Sequence, residues 1–213
     1  MGKIAQGVLG GFSGKVGNIV GGTWKGIDYM RIKPANVSNP KTQGQLDQRS
    51  KFSTVLKFLQ PLTDFLKVGF KLYAIKMTQF NSAMSYNLNN AITGTYPNFT
   101  IDYTKALVSR GSLVGAAGAA AASSSASVVE FTWTDNSGSG NALGTDKALL
   151  VIYNATKGYA VYDSAGASRA TQAQNLTVPS DFSGDSVEAF IGFVSEDGKE
   201  VANSVYIGSV TVA

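Results

Sequence analysis

The chain has 213 residues and a net charge of +4, a length that suits one large or two small domains. It contains no cysteine and no histidine, which excludes disulfides, thiolate or histidine metal sites, and nucleophilic catalysis of the Ser-His-Asp or Cys-His kind. Residues 1–80 hold 12 Lys and Arg against 3 Asp and Glu, whereas residues 81–213 hold 6 against 11. A basic front and an acidic rear can steer head-to-tail association of identical chains.

The front of the chain is rich in glycine between residues 10 and 33. After an extended arm at residues 1–9, we predict a β-hairpin with strands at Lys15–Val20 and Thr23–Lys33 and a tight turn at Gly21-Gly22. Alternate positions of the second strand carry apolar side chains on both faces. Because two strands alone are marginally stable in water, we expect the hairpin to pair within the chain or with a neighbouring copy.

Two or three helices are predicted between this hairpin and residue 90. Apolar residues recur at helical spacing from Leu46 to Leu59, and Pro61 predicts a break directly after them. A second, short helix should end by Gly69, and Thr78 is placed to cap a third. The apolar residues of these helices are interpreted as core.

Beyond residue 98 the chain has the pattern of short strands separated by Gly, Asn and Asp turns. The predicted strands are Phe99–Tyr103, Ala106–Ser109, Val128–Thr134, Ala148–Asn154, Tyr159–Asp163, Gln174–Val178, Val187–Val194 and Ser204–Val212. The Ala/Ser/Gly stretch at 115–127 is interpreted as a flexible link or a loosely paired edge. This spacing is typical of an immunoglobulin-like or fibronectin type III-like sandwich, and the lack of a disulfide favours the fibronectin-like kind.

Trp133 is the natural core residue of that sandwich, with Phe131 on the same face of its strand. Tyr153, Phe190 and Phe193 are the candidates to meet it. The predicted fold class is therefore α+β and mostly β. Residues 1–97 are predicted to form an arm, an N-terminal β-hairpin and helices, and residues 98–213 an immunoglobulin- or fibronectin type III-like β-sandwich.

Several sequence motifs together resemble an uncharacterised family of proteins from Bacteroidota or their phages. They are the pattern GxFSGKVGxxVG at 11–21, WKGxxxxR at Trp24–Arg31, NPKTxxQ at Asn39–Gln45, FxWTDNSGxG at Phe131–Gly140 and the ending at Ser204–Val210. The resemblance spans nearly the whole chain. It implies a bacterial or phage origin and brings no activity with it.

The first functional hypothesis is a self-assembling, non-enzymatic structural subunit of a virion, filament or surface assembly. The predicted partners are copies of the chain itself or other subunits, and the contacts are expected at the hairpin and the sandwich edges. Trp, Tyr and Arg are the side chains most enriched where interfaces concentrate their binding energy. The candidate interface residues are therefore Trp24, Lys25, Gly26, Tyr29 and Arg31.

Two alternatives stay open. One is a monomeric module that recognises carbohydrate or protein, with Tyr159, Tyr162 and Tyr206 as candidate exposed aromatics. The other is nucleic-acid binding through the basic half, with phosphate contacts from the following side chains: Lys51, Lys57, Lys67, Lys71 and Lys76. The second alternative lacks a stacking pattern or a reading helix.

No cofactor, metal or catalytic residue is predicted, and we expect no enzymatic activity. The carboxylates of Asp135, Asp146, Asp163, Asp181 and Asp185 fall in predicted turns, where Asp bonds to its own backbone. We find neither a signal peptide nor a stretch of about 18 apolar residues that could span a membrane. The expected location is a virion or an extracellular assembly reached without a classical leader, or otherwise the cytoplasm.

Overall fold

A computed structural model describes residues 2–4, 10–24, 26–36, 39 and 41–213. The chain divides into two compact units, Met1–Thr42 and Gln43–Ala213, here called unit 1 and unit 2. The boundary predicted at 97/98 differs from this division. The reason lies inside unit 2, where the helices and the sandwich bury their apolar side chains together in one core.

Unit 1 is a four-stranded antiparallel sheet in the order β1-β2-β3-β4, and not the two-stranded hairpin that the sequence predicted. Its strands are β1 at Lys3–Ile4, β2 at Phe12–Val16, β3 at Ile19–Trp24 and β4 at Ile27–Ile32. The predicted turn at Gly21-Gly22 was wrong, because both glycines lie within β3. They are needed there because the Phe12 ring packs on Gly21 and the Tyr29 ring on Gly22, where a Cβ would crowd them. Of the predicted arm at residues 1–9, residues 1 and 5–9 lie outside the described residues.

Unit 2 begins with three α-helices, as predicted. They are α1 at Gln43–Leu59, α2 at Thr63–Gly69 and α3 at Gln79–Asn90. Pro61 lies in a short 3-10 turn at Gln60–Leu62 that separates α1 from α2. The Thr78 hydroxyl accepts a hydrogen bond from the Asn81 amide at 3.2 Å, which confirms the predicted cap of α3.

The rest of unit 2 is built from a hairpin and two larger antiparallel sheets. The hairpin pairs β5 at Ile92–Thr95 with β6 at Asn98–Ile101. One sheet has the order β11-β8-β7, and the other has the order β10-β9-β12-β13. The strands are β7 at Ala117–Ser125, β8 at Val128–Thr134, β9 at Lys147–Asn154, β10 at Tyr159–Asp163, β11 at Ala173–Thr177, β12 at Ser186–Val194 and β13 at Val205–Thr211.

Of the two interpretations of the Ala/Ser/Gly stretch, the loosely paired edge is confirmed: it forms a nine-residue edge strand, β7, whose pairing with β8 is irregular at two places. Another local prediction differs from the structure. The segment Ala106–Ser109 forms no strand, because its backbone is held by a side chain: the amides of Val108 and Ser109 both donate to the Ser204 hydroxyl. Side-chain bonds of this kind satisfy a buried backbone without a sheet ladder.

The four-stranded sheet of unit 2 is buried on both faces. One face packs against the helices, with side chains such as Val151 and Phe190 in contact with the core of α1 and α2. The other face packs against the three-stranded sheet, through side chains such as Leu150 and Ile152. This explains the nearly continuous apolar run of β9, since a strand covered on both sides has no polar face.

The two buried faces also decide which aromatic residues meet Trp133. Its ring meets Phe193 edge-on, with the centroids 5.8 Å apart, and Phe131 shares that core. Tyr153 and Phe190 lie in the other core, where both contact Phe58 of α1. The predicted contact with Phe193 is confirmed, and those with Tyr153 and Phe190 were wrong because a strand alternates its side chains between faces.

Candidate assembly interface

The strand register of unit 1 assigns each side chain to one of two faces. Paired residues of antiparallel strands point to the same side, and the pairs include Trp24 with Ile27, Gly22 with Tyr29 and Val20 with Arg31. We call this side, defined by Trp24, Ile27, Tyr29 and Arg31, the Trp24 face.

The opposite side of the sheet is also apolar. Ile19 pairs with Ile32, and Val16 pairs with Ile19. Met30 lies on the same side, opposite Gly21. We call this side, defined by Val16, Ile19, Met30 and Ile32, the Met30 face.

Both faces expose large apolar side chains. Trp24 and Ile27 are 62% and 65% exposed on one face, and Met30 and Ile32 are 69% and 76% exposed on the other. Seven of the sixteen exposed large apolar side chains of the described residues lie in unit 1. None of the buried apolar side chains of the described residues does. The described residues of unit 1 therefore form a sheet without a hydrophobic core.

The structure brings together three of the five predicted interface residues. Trp24, Tyr29 and Arg31 share the Trp24 face. Gly26 lies in the connection between β3 and β4 with a φ of +83°, a value that favours glycine. Lys25 lies outside the described residues. The sequence had already placed Ile27 on one face with Tyr29 and Arg31, and Met30 and Ile32 on the other, and the strand register confirms this division. The candidate interface set nevertheless left out Ile27 and the Met30 face.

Charge adds to the character of unit 1. It contains six Lys and Arg residues and one Asp, a net charge of +5. By the strand register, Lys15 lies on the Trp24 face together with Arg31. The single acid, Asp28, lies on the Met30 side and accepts a hydrogen bond from the Thr23 hydroxyl at 2.5 Å. The Trp24 face is therefore both aromatic and cationic.

The sheet of unit 1 also has an open edge. β4 pairs with β3 along one side, and among the described residues no strand pairs with its other side. An unpaired strand edge presents free backbone donors and acceptors to another chain. The described part of unit 1 therefore exposes two apolar faces and one backbone edge.

Residues 11–208 match a family model described as a family of unknown function, DUF6266. The chain belongs to this family. The matched region includes β2, β3 and β4 of unit 1 as well as the strands of unit 2, so the exposed sheet is part of what the family model describes.

Other comparisons add little to the family assignment. No curated protein matches the DUF6266 chain. One matching solved structure is the fibronectin type III domain of human collagen alpha-1(XX) chain, with 15% identity and a TM-score of 0.37. That match covers 49% of this chain and 91% of the collagen domain.

The three tyrosines of the carbohydrate hypothesis have different surroundings. Tyr159 is exposed and Tyr162 half-buried, and both line one cleft of unit 2. Tyr206 is separate from them. It stacks on Tyr103 and donates a hydrogen bond to the Glu188 carboxylate. Burial, together with that bond, raises the pKa of Tyr206 to about 12.

The five lysines of the nucleic-acid hypothesis do not share one environment. Lys67 pairs with Asp64 at 2.7 Å, Lys71 donates to the Gly198 carbonyl at 3.0 Å, and Lys51 lies over the Phe99 ring. The hydrogen bond to Asp64 raises the pKa of Lys67. These three lysines are thus held by separate partners, which does not favour the continuous basic stripe that a phosphate backbone needs.

The described part of the chain contains no group of three or more acidic side chains arranged to hold a metal ion. None of its helices has both the length and the apolar character required to cross a bilayer.

Proposed function

We propose that this protein is a non-enzymatic, self-assembling structural subunit, and that its unit 1 sheet is covered by another copy of the chain. One observation carries the proposal: the sheet of unit 1 exposes apolar side chains on both faces and buries none among its described residues. A sheet needs a covered apolar face to be stable, and large exposed apolar patches are typical of interaction surfaces.

A second copy is the partner that the charges favour. Unit 1 carries a net charge of +5, and unit 2 carries −1 as a whole. The charge within unit 2 is uneven: residues 43–80 carry +4, and residues 81–213, which include all strands of the sandwich, carry −5. These opposite charges attract the front of one molecule to the rear of the next. Such a head-to-tail contact joins two different surfaces and can repeat into rings or filaments.

The open edge of β4 supports the same arrangement. The sandwich has its own edge strands, β7 and β11 on one sheet and β10 and β13 on the other. Addition of β4 to one of these edges in a neighbouring molecule would satisfy backbone groups on both strands, as in β-augmentation. Edge pairing alone covers neither face of β4, so the Trp24 and Met30 faces would be buried by packing against other surfaces of the neighbouring molecule.

The experiment compares matched aspartate variants by size-exclusion chromatography with light scattering and by negative-stain microscopy. We expect wild-type protein to form oligomers or polymers between about 1 and 100 μM. Ile27→Asp on the Trp24 face and Met30→Asp on the Met30 face place a charge in the buried contact, so either should shift the protein toward monomer.

The control is Ile75→Asp in unit 2, since Ile75 is as exposed as these residues and lies in the connection between α2 and α3. It should assemble like wild type, and added salt should weaken assembly of both. A wild-type chain that stays monomeric throughout that range contradicts the proposal. Equal disruption by the Ile75 control contradicts the assignment to unit 1.

We further infer that the sandwich is of the fibronectin type III-like kind. The order of its strands supports this: the first, second and fifth strands of the sandwich form one sheet, and the remaining four form the other. On the motif resemblance, we also infer an origin in Bacteroidota or their phages, with the assembly in a virion or outside the cell.

A further inference from the structure

A cleft of about 670 Å³ lies within unit 2, where the end of α1 meets the turn between β9 and β10. Ligand clefts commonly have volumes of about 300–1,000 Å³. Aromatic rings, an amide and amino groups line the cleft of unit 2. The lining side chains that matter here are Lys57, Gln60, Tyr153, Lys157, Tyr159 and Tyr162.

Two tyrosine rings line the cleft in fixed positions. Tyr159 is 53% exposed, and its ring meets Phe182 edge-on with the centroids 6.2 Å apart. Tyr162 is half-buried and meets Phe65 in the same manner at 5.6 Å. Rings held from one side leave their remaining apolar surface available to a ligand.

Tyr153 provides a polar group at the base of the cleft. The Tyr153 residue is only 5% exposed, and no hydrogen bond of the described residues involves its hydroxyl. That oxygen is not among the fully buried polar atoms that lack a partner, so it is open to the cleft. Burial raises the pKa of Tyr153, so the hydroxyl stays protonated and can donate. An accessible hydroxyl without a protein partner, on a residue that lines a cleft, is placed to bond to a ligand or to a water that the ligand replaces.

Lys157 at the rim of the cleft is held in place by ion pairs with two acidic side chains. Its ammonium group lies 2.9 Å from the Asp185 carboxylate and also contacts Asp181. Asp185 in turn accepts from the buried Asn154 amide at 2.7 Å. The hydrogen bond between Lys157 and Asp185 raises the pKa of the lysine and lowers the pKa of the acid.

Lys57 is the second cation of the cleft, and its position differs from that of Lys157. It is exposed on the last turn of α1, and no carboxylate of the described residues pairs with it. The two acids that hold Lys157 exceed its charge by one, so the two lysines and two acids together are neutral, and only Lys57 carries a charge without a paired carboxylate. The cleft thus combines ring faces, neutral donors and acceptors, and one unpaired positive charge.

We propose that this cleft binds a saccharide built from pyranose rings. The apolar C–H face of a pyranose packs on an aromatic ring such as Tyr159, while its hydroxyls bond to groups such as the Tyr153 hydroxyl and the Gln60 amide. Lys57 lies where a carboxylate or sulfate of an acidic sugar can be bound. The polar lining disfavours a wholly apolar ligand, and a single available cation disfavours nucleic acid.

The test is binding of four soluble oligosaccharides to the full chain, followed by titration calorimetry and saturation-transfer NMR. The neutral probes are maltotetraose and chitotetraose, and the acidic probes are a hyaluronan tetrasaccharide and sialyllactose. We expect at least one to bind with a Kd below about 10 mM, as befits a small, partly open cleft. Failure of all four to bind at that concentration overturns the proposal.

Matched variants place any binding in the cleft. Tyr159→Ala should weaken binding about tenfold or more, whereas Tyr159→Phe keeps the ring and should bind like wild type. Tyr153→Phe removes only the hydroxyl. It should weaken binding by about three- to tenfold and leave the unfolding curve unchanged, because that hydroxyl has no protein partner.

Charge variants test the role of Lys57. Lys57→Gln should weaken binding of acidic probes and leave neutral probes unaffected, and Lys51→Gln on the same helix is the control because it does not line the cleft. If the protein binds a saccharide but none of the variants at Tyr159, Tyr153 or Lys57 changes the affinity, the binding site lies elsewhere. That result overturns the assignment to this cleft. The cleft lies wholly in unit 2, so the same titration on the Ile27→Asp protein separates this result from the outcome of the assembly experiment.

Discussion

Arg169 and Asp146 lie in connections between strands of the sandwich and form an ion pair in which both side chains are fully buried. The Arg169 guanidinium lies 3.1 Å from the Asp146 carboxylate and stacks 3.9 Å from the centroid of Phe193. It also donates to the Asn136 side chain at 2.6 Å and to the Val114 carbonyl at 2.9 Å. One side chain thus fastens two loops to the core through charge-assisted bonds.

Removing the arginine should destabilise unit 2 strongly. In Arg169→Met, the Asp146 carboxylate and several buried acceptors lose their donor, so we expect the free energy of unfolding to fall by about 3–5 kcal/mol. Urea denaturation followed by tryptophan fluorescence measures this, since Trp133 also donates to the Arg169 carbonyl. The double variant Arg169→Met with Asp146→Leu should recover part of the loss. A loss below about 1 kcal/mol in the single variant would contradict the assigned role of the pair.

At the scale of elements, α1 and β9 explain why the helices and the sandwich form one unit. Phe58 of α1 is buried, and its ring meets Tyr153 of β9 with the centroids 5.0 Å apart. The neighbouring Phe190 of β12 lies 6.1 Å from the same ring. The helix therefore covers the face of the sheet that the second sheet leaves open.

Phe58→Ala tests whether this core is shared. Removing a buried phenylalanine should lower the stability of the whole of unit 2 by about 3–5 kcal/mol, because one core unfolds as one cooperative unit. The control, Phe52→Ala, lies on the same helix with a half-exposed ring and should change stability by less than about 0.5 kcal/mol. If Phe58→Ala melted only the helices in circular dichroism and left the Trp133 fluorescence transition in place, the boundary predicted at 97/98 would be the better description.

At the scale of the whole molecule, the two units differ in how they are stabilised. Both hydrophobic cores of the described residues lie in unit 2. The described part of unit 1 is held by backbone hydrogen bonds between its strands and by close packing of aromatic rings on glycines. Elements with few buried contacts open locally at low free energy. The assembly proposal therefore predicts a protection from hydrogen exchange that depends on protein concentration.

Hydrogen exchange with mass spectrometry measures this dependence. In dilute, monomeric protein, amides of β2 to β4 should exchange with little protection, while those of β9 and β12 should exchange only with global unfolding. In assembled protein the amides of β4 should become protected, because its open edge and faces are then covered. Strong protection of β4 in the dilute monomer would show that unit 1 is stable by itself and would remove the reason for a partner.

The sequence alone determined the local structure wherever a residue has one strong physical preference. Pro61 ended α1, Thr78 capped α3, and alternating apolar residues bounded β8, β10 and β12 to within one or two residues. The sequence also placed apolar residues on both sides of β4, and all six residues of this strand are exposed. These features depend on neighbours within a few positions along the chain.

Only the tertiary structure decided what depends on distant residues. Gly21 and Gly22 predicted a turn, but glycine is favoured both in turns and where another group packs closely on the backbone. The rings of Phe12 and Tyr29, which pack on these glycines within the sheet, show that the second reason applies. Asp146 matched a turn residue, yet Arg169, 23 positions away, makes it part of a buried pair. The saccharide cleft likewise joins α1 to the β9–β10 turn, about a hundred residues later, because burial of the two faces of β9 brings them together.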